Sequence, residues 1–86
     1  MLTFEDCIEM SEVPEDVIEA IACHEHIPMM IALEMGAKLI HTSAGQGRIR
    51  RFIQDDIDHF RHTGDRVHTQ HFEEVLERFE TTHPGF

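Results

Sequence analysis

The sequence predicts an all-α protein, a small bundle or orthogonal array of four to five short helices with no β-sheet. Three observations lead there. No stretch alternates apolar and polar residues with period two for long. Apolar residues recur instead at helical spacing. Residues that start and stop helices punctuate the whole chain: prolines, a threonine and an aspartate at openings, glycines at ends. The 86 residues suit one helical domain over 1–86. Hydrophobic residues make up 41%, enough for a core and too many for a disordered chain. A domain of this size buries only about 60% of its unfolded surface, so any further burial by association matters.

The first expected helix is short and opens at Thr3, with Asp6 three residues on in a variant of the capping box. Phe4, Cys7 and Ile8 form its apolar face. The second is read from "SEVPEDVIEAIACHE". Pro14 suits a first helical position, and Glu15 and Asp16 favour the positive end of the helix dipole. Val17, Ile18, Ile21 and Ala22 make its inward stripe. Pro28 then pushes Ile27 out of helical geometry and opens a third helix, "PMMIALEMGAKLIHT". This helix is apolar nearly all round; only Glu34, Lys38 and His41 make a narrow polar edge. It belongs at the centre of the fold or in an oligomer interface. Ala32 and Gly36 lie opposite that edge and allow another helix to approach closely. "SAGQG" is expected to break it, with Gly45 just past its end. A fourth helix follows from about Gln46 to Thr63, with Ile49, Phe52, Ile53, Ile57 and Phe60 inward. Gly64 ends it, Asp65 caps a fifth, and Phe72, Val75, Leu76 and Phe79 are that helix's core residues.

The formal net charge of −10 opposes binding to nucleic-acid backbones or anionic membranes, which attract positive patches. No apolar run reaches membrane-spanning length, and no signal peptide is recognisable. Two cysteines do not make a disulfide framework, so a cytoplasmic location is expected. The charge is uneven. Residues 1–25 hold eight carboxylates and no Lys or Arg, whereas Arg48, Arg50 and Arg51 cluster. Those arginines are expected to meet carboxylates of residues 5–19 or of a neighbouring chain. Eight histidines could neutralise most of the negative charge on protonation, which makes pH-dependent association conceivable.

Three ionisable residues fall on predicted core stripes: Glu25, Asp56 and His68. A buried lone carboxylate is costly, so Glu25 and Asp56 should each have a polar partner. One reading is structural, with histidines, arginines or backbone amides as partners. The other is a metal site. His24 and His26 stand about 200° apart on a helix and cannot share one ion. Cys23 and His26, at i and i+3, can share a face, but two donors are only half of a tetrahedral zinc set. Asp56-x-x-His59 is a second helical pair, and Glu80-x-x-His83 sits at a helix end. A dimer would bring two Asp56-x-x-His59 pairs and two copies of Glu25 together, on the plan of carboxylate-bridged metal bundles. The candidate ligands are therefore Glu25, Asp56 and His59, with zinc or iron as the metal. His59-x-x-His62 and His68-x-x-His71 can hold added metal weakly. "GQGRIRR" places glycines and arginines at a helix start, as anion sites do, but lacks the spacing and lysine of a P-loop. No catalytic arrangement can be assigned.

The functional expectation is a small acidic protein that acts by protein–protein association, as a homo-oligomer or with another protein, through the apolar third helix. It needs no cofactor and binds neither nucleic acid nor membrane. The rival expectation is a metal-binding or metal-dependent protein whose carboxylate and histidine site is completed in a dimer. A third is a small-ligand binder using the Arg48–Arg51 region.

Overall fold

The computed structural model describes Thr3 and residues 13–83; the short helix expected after Thr3 lies outside them. Among the described residues there are four helices and no strand: α1 (Glu15–Glu25), α2 (Met29–Leu39), α3 (Ser43–Thr63) and α4 (Arg66–Thr82).

Pro14 stands at the cap position of α1, and its carbonyl accepts from the Val17 and Ile18 amides at 3.1 Å. Its missing N–H costs nothing there, because the first amides of a helix have no partner within it. The helix stops at His26, which adopts the left-handed conformation at φ 56°. The Ala22 carbonyl accepts the His26 amide and, at 3.2 Å, the Ile27 amide as well, which closes the helix end. Pro28 opens α2 as Pro14 opens α1, accepting from Ile31 and Ala32 at 3.1 and 3.0 Å.

α2 buries Ala32, Leu33 and Gly36. A Cβ on Gly36 would come within 3.1 Å of Ile21 Cδ1 and 3.4 Å of Val13 Cγ1. The small residue therefore serves a close approach of α1 within the same chain. On the other side of α2, Met30 and Ile31 remain 44% and 49% exposed.

The α2–α3 connection differs from the expected one. α3 begins at Ser43, not near Gln46, and Gly45 is a buried residue of its first turn. Thr42 is the cap, accepting the Gly45 amide on its Oγ1 at 2.9 Å, and Gln46 Nε2 donates to the Ile40 carbonyl at 2.8 Å. A Cβ on Gly45 would lie 1.9 Å from the Leu39 carbonyl oxygen. The glycine marks the crossing of two backbones, not the end of a helix.

α3 is the longest element and turns Ile49, Phe52, Ile53, Asp56 and Ile57 inward. Gly64 ends it in the left-handed conformation at φ 80°, as its missing side chain allows. Asp65 then caps α4 by accepting the His68 amide at 3.1 Å. α3 and α4 run antiparallel: Phe60 stacks on Phe72 near the turn, and Arg50 Nη1 donates to the His83 carbonyl at the far end. α1 packs against both α2 and α3 and reaches α4 through an Asp16–Arg78 ion pair. The core lies where these helices meet, centred on Ile18, Ile21, Ile49, Ile53, Ile57 and Phe79.

One expectation, that for His68, is corrected by this packing. His68 does not face the core. Its side chain is 55% exposed, rests against the Phe60 ring at 4.8 Å and pairs with Asp65 at 2.7 Å. It sits in the first turn of α4, before the apolar stripe has entered the interior. The arginine cluster has these contacts among the described residues. Arg48 lies over the Phe52 ring, Arg50 binds the His83 carbonyl, and among the described residues none of Arg48, Arg50 or Arg51 pairs with a carboxylate. Asp16 is taken by Arg78, and any contact with residues 5–12 lies outside the described residues.

Candidate functional site

Where the last turn of α1 meets the middle of α3, a pocket of about 170 Å³ is lined by Cys23, His24, His26, Asp55, Asp56 and His59. The site follows from the local chemistry of both helices. α1 ends in a polar run because its chain must leave the core at His26. α3 carries Asp56 in phase with its apolar stripe and His59 one turn further on.

Asp56 is only 4% exposed, and its Oδ2 accepts no hydrogen bond. Cys23 lines the same pocket. Burial pushes the Asp56 pKa up from 3.8 to about 7, with the neighbouring Asp55 charge adding to the rise; His24 and the Cys23 thiol oppose it. The Cys23 thiol is in turn held above its ordinary value, first by burial, then by the Asp56 charge and the hydrogen bond to Asp56, and last by Glu19.

His24 is already engaged. Its Nε2 lies 2.9 Å from Asp55 Oδ2, its Nδ1 lies 3.3 Å from Glu25 Oε1, and its ring stacks on Phe52 at 4.5 Å. The imidazole thus sits between two carboxylates, with an apolar face against the core.

Of the three residues expected to ligate metal, Asp56 and His59 line this pocket. His59 is exposed and meets Phe60 edge-on at 5.2 Å. Glu25 does not line it. It is half-buried beside His24 and borders a separate groove with Ile27, Ile31, Glu34, Met35 and Lys38. The expected partner for Asp56 was a histidine, an arginine or an amide. The thiol of Cys23 was missed, although Cys23-x-x-His26 and Asp56-x-x-His59 have the same i, i+3 spacing. What the sequence lacked was the packing of α1 on α3 that joins the two pairs.

Among the described residues, no group of three or more His, Cys, Asp or Glu side chains stands within ligating reach of one common point. Among them, too, no helix is long and apolar enough to cross a membrane. The chain matches no protein family, and no characterised protein and no solved structure is significantly similar to it.

Proposed function

We propose that this chain acts by association, and that its partner is a second copy of itself, docked on the outer face of α2. The observation that carries this reading is the exposure of Met30 and Ile31 in succession on α2, next to a groove of about 400 Å³ lined by Ile27, Ile31 and Met35 together with Glu25, Glu34 and Lys38. Large apolar side chains grouped on one face mark interaction surfaces more often than single exposed ones do. The charges suit a self-complementary contact. Glu34 and Lys38 are the only charged residues of α2, opposite in sign and one turn apart. A two-fold contact with the two α2 helices antiparallel brings each Glu34 toward the partner's Lys38. The overall charge of −10 opposes such pairing at long range, but salt screens it beyond about 8 Å at physiological ionic strength.

The expected pair is weak. Met30 and Ile31 are already half-covered, so completing their burial contributes on the order of 1 kcal/mol each. Ile27 and Met35 add similar amounts, against an association cost of several kcal/mol. The reading also has the protein at work in a reducing cytoplasm, where Cys23 stays a thiol.

Light scattering after size exclusion at about 100 micromolar, a concentration suited to a weak pair, should give a mass near twice 10.0 kDa. Ile31→Glu should return the mass to that of one chain, with helical circular dichroism unchanged because Ile31 lies outside the core. A single-chain mass for the unaltered protein, or an intact pair in Ile31→Glu, overturns the reading.

A further inference from the structure

We infer that His24 is a proton-operated gate on the α2 interface: protonated, it neutralises Glu25 where that carboxylate borders the docking groove, so the two chains pair more tightly as pH falls. The inference rests on the α2 pairing proposed above and names its regulation. The His24 ring lies between two acceptors. Its Nε2 faces Asp55 Oδ2 of α3 at 2.9 Å, and its Nδ1 faces Glu25 Oε1 of α1 at 3.3 Å. A neutral imidazole carries one N–H and donates to only one of them; its other nitrogen then turns a lone pair toward a carboxylate. Only the imidazolium donates to both. The stack on Phe52 at 4.5 Å holds the ring in this position. Its place in the last turn of α1 also suits a positive charge, because the free carbonyls of a helix end are partly negative.

Glu25 carries this state of His24 to the groove, which it lines with Glu34 and Lys38 of α2. The three side chains leave one uncompensated negative charge on each copy. Two copies docked on this face enclose both charges and strip them of water, which opposes association. An imidazolium beside each Glu25 cancels the excess and gives the carboxylate a charge-assisted hydrogen bond. Association then takes up protons at His24. It therefore tightens as pH falls through the range in which histidine side chains ordinarily titrate. The other titratable groups facing His24 are Cys23 and His26 on its own segment, and Asp55, Asp56 and His59 of α3; they share its pocket, and none of them lines the groove.

The test measures the dissociation constant of the full chain by sedimentation equilibrium from about pH 6 to pH 8, at about 0.15 M salt, which screens repulsion between distant charges. For the unaltered chain the constant should rise roughly tenfold over that range. His24→Gln keeps an N–H donor but cannot titrate, and most of the rise should disappear. Glu25→Gln should also flatten the profile, and should pair at the high end as tightly as the unaltered chain does at the low end. It alters only a half-buried side chain, so it decides the matter alone if loss of the Phe52 stack unfolds His24→Gln. Asp56→Asn removes the buried carboxyl group of the pocket and should keep the rise. The remaining histidines are common to all four proteins, so their contribution cancels in the comparison. A single-chain mass at the low end overturns the α2 pairing and the gate together. With the pair formed, a flat profile in the unaltered chain, an undiminished rise in folded His24→Gln or in Glu25→Gln, or a rise that vanishes in Asp56→Asn overturns the gate alone.

Discussion

Asp56 and Asp65 are nine residues apart and the same side chain, yet their surroundings drive them in opposite directions. Asp56 lies inside, where α1 covers α3; burial holds its pKa far above the ordinary value. Asp65 lies outside, at the α3–α4 turn. There the His68 amide, and then the His68 side chain and the Val67 amide, hold its pKa below the ordinary value. The difference is one of hydrogen bonds. Asp65 caps a helix, so several donors converge on its charge, whereas Asp56 faces a helix flank whose amides are already used. A carboxylate at a helix start stabilises; the same group on a helix side must find a thiol, an imidazole or an ion.

The largest expected effect breaks the comparison at its buried end. The folded-state pKa of Asp56 is raised from 3.8 to about 7. The fold therefore prefers the neutral acid. This contribution is fully present below about pH 4 and is lost as pH rises through 7, a change of about 4 kcal/mol at about 1.4 kcal/mol per pH unit. Asp56→Asn removes the titration. Urea unfolding of both proteins from pH 3 to 9 should show the gap between them moving in favour of the asparagine variant as pH rises. Taking the gap cancels the other groups facing the pocket, namely Cys23, His24, His26, Asp55 and His59. A gap that does not change across pH 4–8 would sink this prediction.

A smaller effect sharpens the same contrast. His24 opposes the rise in the Asp56 pKa, and its ring stacks on Phe52. His24→Ala removes both influences. The lost stacking should cost about 0.5–1.5 kcal/mol, and the pH midpoint of the Asp56-linked change should move upward. Thermal melts at pH 5 and pH 8 would show the variant more destabilised at the higher pH. Equal loss at both would mean that His24 does no more than pack.

The contrast also explains what was legible in the sequence. Helix content was, because proline starts, Gly64 and the Asp65 cap are local signals. Asp56 was legible as a misplaced polar residue because α3 runs in one phase from Ile49 to Ile57. Glu25 and His68 were misjudged in degree, for both sit at helix ends, where phase no longer predicts depth. Gly45 was misread because the reason for a glycine there is a carbonyl of another segment, six residues back. The thiol opposite Asp56 was invisible for the same reason: that contact is set by how two helices cross, which no local pattern encodes.

The smallest expected effect tests the exposed carboxylate, and it separates charge from shape. Asp65 accepts the His68 amide at 3.1 Å and faces His68 Nδ1 at 2.7 Å. Asparagine is as good a cap by shape but carries no charge toward the helix dipole; alanine lacks both. At pH 7 the melting temperatures should fall in the order Asp65, Asp65→Asn, Asp65→Ala. The sign with pH is opposite to that of Asp56. The folded pKa is lowered, so the charge contribution is present above the ordinary value and is lost as pH falls through the lowered one. Below that point the protonated aspartate should cap no better than asparagine, and the two melting curves should converge while the alanine variant stays lower. If the aspartate and asparagine proteins already coincide at pH 7, the charge adds nothing and the cap acts through its hydrogen bond alone. If all three coincide, the α3–α4 turn is held by Gly64 and the Phe60–Phe72 contact without help from Asp65.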